Sequence, residues 1–151
     1  MLLAKNRKAF HNYEILEKYV AGVVLKGYEV KAIREGKVSF EGSYVTIKNG
    51  EPLVKNIHIG RYSKKSQKTP EQEEKRPIKL LLNEREIEGI AREIHQKGKT
   101  AVPIAFILRN NLIKLEIAVV RGRKEYEKKQ VAKKRQIEKD LRKQRKTQLW
   151  R

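Results

Sequence analysis

The feature that most constrains the fold is a strongly basic segment at the end of the chain, from Arg121 to Arg151. It holds fourteen of the 37 Lys and Arg residues against four acidic ones, and so carries about half of the formal net charge of +19. Such a segment repels itself until a polyanion neutralises it. Because its few apolar residues cannot make a core, we expect one domain over residues 1–120 and a tail over residues 121–151.

Nucleic acid is the first partner to consider for this charge, because each phosphate contact releases a condensed counterion whatever the base sequence. Basicity alone leaves other classes open. A sequence pI near 10.2 also suits ribosomal proteins, nucleoid proteins, RNA chaperones and proteins that bind lipid surfaces.

Other compositional features set outer limits. The chain has no cysteine, which excludes disulfide frameworks, zinc sites of the Cys type and thiol catalysis. No apolar run approaches the roughly 18 residues of a membrane span. The first residues meet charge too early for a secretory signal. We therefore expect a cytoplasmic protein with no membrane partner.

Residues Met1–Asn12 are interpreted as an extended basic arm or, alternatively, as a solvated terminus. The first half of the chain after this arm predicts strands. Tyr13–Leu25 is rich in β-forming residues and contains Gly22, which is typical of a bulge or barrel corner. Further strands are predicted around Val38 and Phe40, over Tyr44–Lys48, and over Leu53–Ile59, where Leu53, Lys55, Ile57 and Ile59 share a face. Asn49-Gly50 between the last two is a strong hairpin signal.

A second hairpin is predicted over Ala101–Val120 around Arg109-Asn110-Asn111. Val102, Ile104, Phe106 and Leu108 are expected on one face, and Ile113, Leu115, Ile117 and Val119 share a face of the return strand, with Lys114 and Glu116 outward. Pro103 must lie at an edge or a bulge, because it has no N–H to donate. Together the segments predict a small antiparallel barrel or sandwich.

Two helices and a long loop complete the domain. A short helix is predicted over Gly27–Arg34, closed by Gly36. Asn83 is a good N-cap, with Glu86 completing a capping box, and the following helix has an apolar stripe beside which His95 is expected to pack half-buried. The polar stretch Gly60–Pro77 is interpreted first as a solvated linker and second as an RNA-contacting flap.

The tail is predicted to be disordered alone and to become helical on a polyanion. Ile137 and Leu141 are its one apolar i, i+4 pair, and its favourable and unfavourable charge pairs offset one another. Tyr126 lies among basic residues, where a ring is well placed to stack on an unpaired base. The alternative is that Tyr126 packs on the barrel.

Signatures of catalysis are absent from the sequence. His11, His58 and His95 have no metal-ligand spacing, and there is no phosphate-binding Gly-rich loop, GxSxG or HExxH motif. We therefore expect no catalytic residues, no metal and no cofactor. A nuclease is the weaker alternative to binding without catalysis.

Five stretches in order resemble the SsrA-binding protein family, also called small protein B, the partner of transfer-messenger RNA in bacterial trans-translation. The resemblance runs from Asn6 to about Lys129, and the stretches are NRKAFHNYEI (6–15), AGVVLKGYEVKAIREGKV (21–38), GSYVTIKNGE (42–51), KLLLNEREI (79–87) and RGRKEYEKK (121–129). It implies an OB-like antiparallel barrel with flanking helices, mostly β with α, and a basic, conditionally helical tail.

The resemblance also implies functional residues. The barrel is expected to bind the tRNA-like part of the RNA, and the tail to enter the ribosome in the empty decoding site and mRNA path. Residues matching the family's RNA-binding motifs are Asn6, Arg7, Lys8, His11, Tyr13, Leu81 and Asn83. Residues matching the decoding-site segment are Gly122, Arg123, Lys124, Tyr126, Lys128 and Lys129.

Some positions depart from the family pattern. Val20 stands where the family usually has Glu, which removes one carboxylate or requires a neighbour to replace it.

The resemblance implies a monomer that delivers transfer-messenger RNA to stalled ribosomes and contacts rRNA of the small subunit. The alternatives are a structural ribosomal protein or general RNA chaperone, and a basic protein of membrane surfaces.

Overall fold

The computed structural model describes residues 1–60, 76–122 and 132–143. Within these ranges the chain forms nine strands and four helices. The strands are β1 Leu2–Lys5, β2 Tyr13–Val23, β3 Val38–Ser39, β4 Tyr44–Lys48, β5 Glu51–Lys55, β6 His58–Ile59, β7 Ile78–Leu81, β8 Lys99–Arg109 and β9 Leu112–Gly122. The helices are α1 Arg7–Asn12, α2 Gly27–Arg34, α3 Glu84–Ile94 and α4, residues 132–143.

Six of the strands close into an antiparallel barrel. β8 pairs with β4, and the neighbours continue through β5, β7, β2 and β9 back to β8. β1 pairs with the later part of β8, while β3 and β6 form a separate two-stranded ribbon. Closure leaves the barrel with few open edges, which confirms the OB-like antiparallel barrel and decides against an open sandwich.

The core has two parts, inside and outside the barrel. The interior cluster includes Phe40 and Phe106, whose ring centroids lie 5.8 Å apart, and Ile90 of α3. A second cluster lies between α1 and the outer face of β8 and β9, and consists of Ala9, Val102, Ile104, Ala118 and Val120. Burial of apolar surface on both faces explains why residues 117–120 of β9 and most of β8 are continuously apolar.

Both predicted hairpins are confirmed. Asn49 and Gly50 have φ values of 52° and 78°, and Asn110 and Asn111 have values of 51° and 63°. Positive φ at both central residues of a two-residue loop is the geometry of a type I′ turn, which suits the twist of paired strands. The helix over Gly27–Arg34 is also confirmed.

The predicted faces of two strands are wrong, because each contains an irregularity. In β8 a bulge between Pro103 and Ala105 shifts the register, so Phe106 points inside while Val102 and Ile104 pack under α1. In the segment after Asn49-Gly50, Asn56 has a φ of 61°, and Val54 before it is buried like Ile57 and Ile59 after it. Because successive side chains of a strand point to opposite faces, one extra or kinked residue moves all the side chains after it to the other face.

The arm and Gly22 also differ from expectation. The arm is extended only over β1 and becomes helical after Asn6, because α1 covers the outer apolar cluster. The bulge of β2 lies between Ile15 and Glu17 and not at Gly22. Gly22 instead allows a close approach of β7, since a Cβ there would lie 3.1 Å from Leu81 Cβ and Leu81 would have to shift by a few tenths of an ångström.

Helix α3 confirms the predicted capping box at Asn83 and Glu86. His95, however, caps the C-terminal end in an exposed position and does not pack half-buried, because the helix ends at Ile94 before it. Most of the predicted loop Gly60–Pro77 lies outside the described residues. Where the chain is described again, Arg76 donates to the carboxylate of Glu29, which is 1% exposed.

Candidate RNA interface

The basic arm is held in place by Asn6. Its Nδ2 donates to the carbonyl oxygen of Pro103 at 2.8 Å, its Oδ1 accepts from the backbone N–H of Ala9 at 3.3 Å, and its own N–H donates to Ile104 O at 2.8 Å. The side chain is only 9% exposed. Asn6 is thus the N-cap that joins α1 to the barrel, and what it offers to RNA is the position of the residues after it.

Those following residues are accessible. Arg7 and Lys8 are exposed, and His11 and Tyr13 are partly exposed. The Nζ of Lys8 lies 3.7 Å from Glu41 Oε1, but both side chains are more than 70% exposed, so this pair is open to competition from a phosphate. A cleft of about 420 Å³ opens beside them, between α1 and the loop before β4.

Phe10 gathers two lysines that are not among the predicted RNA-binding residues. The Nζ of Lys5 lies 4.6 Å from the centre of the Phe10 ring, and the Nζ of Lys18 lies 5.9 Å from it. These contacts orient the ammonium groups at modest energy. Lys5 belongs to the arm itself, and the folding of α1 over β2 adds the positive charge of Lys18 to it.

Leu81 and Asn83 lie at a different place. Leu81 ends β7 with 55% of its side chain exposed, directly over Gly22 of β2. Asn83 is exposed, and its Oδ1 accepts from the N–H of Glu86 at 2.9 Å. An exposed Leu beside a helix N-terminus is a small apolar surface with polar neighbours.

The structure does not bring the two predicted RNA-binding groups together. Tyr13 begins β2 beside the arm, and Gly22, under Leu81, is nine residues further along the same strand. At roughly 3.3 Å per residue, the groups are about 30 Å apart along the strand. The two groups therefore lie at two ends of the barrel.

The arm lies instead beside the start of the tail. Gly122 pairs with Tyr13 in the β2–β9 ladder. Arg121 forms an ion pair with Glu14, with Nε at 3.0 Å from Oε2 and a second, closer contact from Nη2. β9 therefore runs two residues past the predicted boundary at 120, and the tail leaves the barrel from the arm's end.

Of the predicted decoding-site residues, only Gly122 is described. Arg123, Lys124, Tyr126, Lys128 and Lys129 lie outside the described residues. All of the side chains of α4 are exposed, and six of the twelve are Lys or Arg: Lys133, Lys134, Arg135, Lys139, Arg142 and Lys143. The expected disorder of the tail alone, and its helix on binding, stay predictions.

A second cleft, of about 560 Å³, lies between α3 and β2 and includes Tyr19, Arg85 and Arg92. Burial raises the pKa of Tyr19 to about 12, helped by a hydrogen bond and negative charge from Glu17. The hydroxyl therefore stays protonated at ordinary pH. This cleft mixes both signs of charge and offers no clear preference for an anion.

The described residues give no sign of a metal or membrane site. They contain no group of three or more His, Asp or Glu side chains that could hold a metal ion. No helix in the same ranges is both long and apolar enough to cross a membrane.

The chain is similar to proteins of known role. The family model described as SmpB protein matches residues 3–147. The SsrA-binding protein of Mycoplasma mobile is 45% identical over 142 residues, covering 94% of this chain and 94% of the relative. That of Oleidesulfovibrio alaskensis is 44% identical over 145 residues, covering 95% of this chain and 91% of the relative.

A solved structure gives the same answer for the fold. It is described as "tmRNA-SmpB: a journey to the center of the bacterial ribosome", and it matches with a TM-score of 0.68 and 39% identity over 80% of this chain and 84% of that one. The sequence match spans both the barrel and most of the tail. The chain belongs to the SmpB family of SsrA-binding proteins.

Proposed function

We propose that this chain is an RNA-binding protein that binds transfer-messenger RNA and brings it to stalled ribosomes in trans-translation. The observation that carries this function is the family match over residues 3–147, together with a structural relative described as tmRNA-SmpB in the ribosome. The net charge of +19 is consistent with a large RNA partner.

The two ends of the barrel are assigned different contacts. The Leu81–Asn83 end holds the tRNA-like part of the RNA, because it presents an exposed apolar side chain beside polar groups. The arm, with Arg7, Lys8, His11 and Tyr13, contacts RNA at the end where the tail begins. Its adjacency to Gly122 supports this assignment.

The tail is assigned to the ribosome. It carries a large positive charge without a core of its own, so its energy of binding comes from phosphate neutralisation and not from packing on the barrel. It occupies the empty decoding site and mRNA path as a helix. Tyr126 stacks on an unpaired base there, between Lys124 and Lys128.

The remaining expectations follow from this assignment. The protein acts by binding, without catalysis or a cofactor, as a monomer in the cytoplasm. The Lys and Arg side chains of α4 and the arm are phosphate ligands and not groups of an active site, since all of them are exposed.

Sedimentation with ribosomes tests this function against the alternative of a structural ribosomal protein or RNA chaperone. Stalled ribosomes are mixed with the full chain at high salt, with and without transfer-messenger RNA. We expect the chain to co-sediment only when the RNA is present. Co-sedimentation without that RNA would support the ribosomal-protein alternative and contradict the proposal.

A further inference from the structure

Five side-chain positions form a row across the outer face of the barrel. Leu81 of β7 pairs with Gly22 of β2, Gly22 with Lys114 of β9, Lys114 with Ile107 of β8, and Ile107 with Leu2 of β1. Residues directly opposite each other in antiparallel strands project to the same face. The row therefore begins at the proposed RNA-binding Leu81 and continues across the sheet.

This row is open to a partner. Leu81 and Leu2 at its two ends are 55% and 57% exposed, and Lys114 and Ile107 between them are partly exposed. Gly22 has no side chain to interrupt the surface. Five strands with four spacings of roughly 4.8 Å make the row about 19 Å long.

A neighbouring row adds a carboxylate. Val20, which is 37% exposed, pairs with Glu116 of β9, two residues from Lys114 and on the same face. Among the described residues neither the side chain of Lys114 nor that of Glu116 forms a hydrogen bond or an ion pair. Two unpartnered charges of opposite sign thus lie at the centre of a partly apolar surface.

The chemistry of this surface fits RNA. Its apolar positions can contact ribose and base faces, and Lys114 can contact a phosphate. A carboxylate repels phosphate, but it accepts hydrogen bonds from base amino groups and from the ribose 2′-hydroxyl. Lys5 and Lys18 border the face at its α1 end, so its surroundings are positive.

We propose that the RNA footprint continues from Leu81 across this face, with Lys114 binding a phosphate and Glu116 accepting a hydrogen bond from a base amino group or a 2′-hydroxyl. The inference rests on the proposed function, since it extends the surface assigned to the tRNA-like RNA. Lys114 supplies affinity and Glu116 supplies discrimination.

The test measures binding of the full chain to a tRNA-like RNA and to a random RNA duplex of equal length, over a salt series. Lys114→Gln should weaken binding of the tRNA-like RNA about three- to tenfold. It should also reduce the slope of log affinity against log salt concentration by about one, the share of one phosphate contact. Glu116→Gln should weaken the tRNA-like RNA about tenfold and leave the duplex as tight or tighter, because a repulsive charge is lost.

Matched controls separate these effects from loss of any surface charge. Lys48→Gln on β4 and Glu88→Gln on α3 remove exposed charges elsewhere and should leave the ratio of the two affinities unchanged. Leu81→Ala is the reference variant, because Leu81 lies at the end of the barrel that is assigned to the tRNA-like RNA. Equal melting temperatures of all the variants establish that the fold is intact.

The outcomes are distinct. If Leu81→Ala loses the preference for the tRNA-like RNA while Lys114→Gln and Glu116→Gln behave as their controls do, the extension across the sheet is wrong and the Leu81 end stands. If the unmodified chain does not prefer the tRNA-like RNA, the function proposed for this end fails, and the extension fails with it.

Discussion

At the scale of single residues, amide side chains at helix starts determine where the RNA-facing groups lie. Asn6 and Asn83 both accept a hydrogen bond from the third residue of the helix that follows. Asn6 does more, since its amide also donates to a strand of the barrel. The arm is therefore fixed to the fold and is not a loose basic terminus.

Replacing Asn6 by alanine tests this role. We expect Asn6→Ala to lower the free energy of unfolding by about 1–3 kcal/mol, because it removes an N-cap and leaves the buried carbonyl of Pro103 without its donor. Urea denaturation measures the change. Gln96→Ala, which removes an exposed amide, is the control, at less than about 0.5 kcal/mol. Equal losses in both variants would contradict the role.

Tyr19 gives a prediction for alkaline pH. Its pKa is raised from 10.0 to about 12 in the folded chain, chiefly by burial, so the unfolded chain releases this proton first. The stabilising contribution is complete below about pH 10 and is lost as the pH rises toward 12. Tyr19→Phe should reduce the fall in stability over that range, measured by urea unfolding at a series of pH values.

The exposed Tyr44 provides the control for that experiment. A Tyr44→Phe variant should lose as much stability between about pH 10 and 12 as the unmodified chain does. If Tyr19→Phe also kept it in full, the raised pKa of Tyr19 would not contribute to stability.

At the scale of elements, β9 connects the barrel to the tail. Its last two residues remain in the ladders, with Arg121 opposite both Lys99 and Glu14, and Gly122 opposite Tyr13. The boundary of the barrel therefore follows Gly122. The sequence suggested 120 because the apolar alternation ends there, although backbone pairing needs no apolar side chain.

Two truncations test the boundary. A chain ending at Val120 should be about 1–3 kcal/mol less stable than one ending at Gly122, because it lacks the last ladder hydrogen bonds and the half-exposed pair of Arg121 with Glu14. Thermal or urea unfolding of the two chains gives the difference. Equal stability would show that β9 ends functionally at Val120.

Local sequence rules predicted those elements whose causes are local. The two type I′ turns and the capping box at Asn83 follow from residue types within a few positions, whereas the reason for Gly22 does not, because its partner Leu81 is 59 residues away. The bulge at Pro103 and the kink at Asn56 reversed the predicted faces, because only pairing with other strands reveals the register.

At the scale of the whole molecule, the residues proposed to bind RNA form two groups at opposite ends of the barrel. Leu81 and Asn83 lie at one end of β2, and the arm and the start of the tail lie at the other. The resemblance predicts which residues bind RNA, but it does not predict that they form two groups. Their distribution depends on the length of β2, which sequence patterns alone do not connect to the arm or to β7.

We propose that the barrel alone, without the tail, recognises the tRNA-like RNA. The most direct measurement is the affinity of the full chain, and of a chain ending at Gly122, for a tRNA-like RNA and for a random duplex over a salt series. The shorter chain loses thirteen basic and four acidic residues, so its salt dependence should fall. We predict that it keeps the preference for the tRNA-like RNA. If the shorter chain lost this preference, recognition would depend on the tail and the proposed role of the barrel would be wrong.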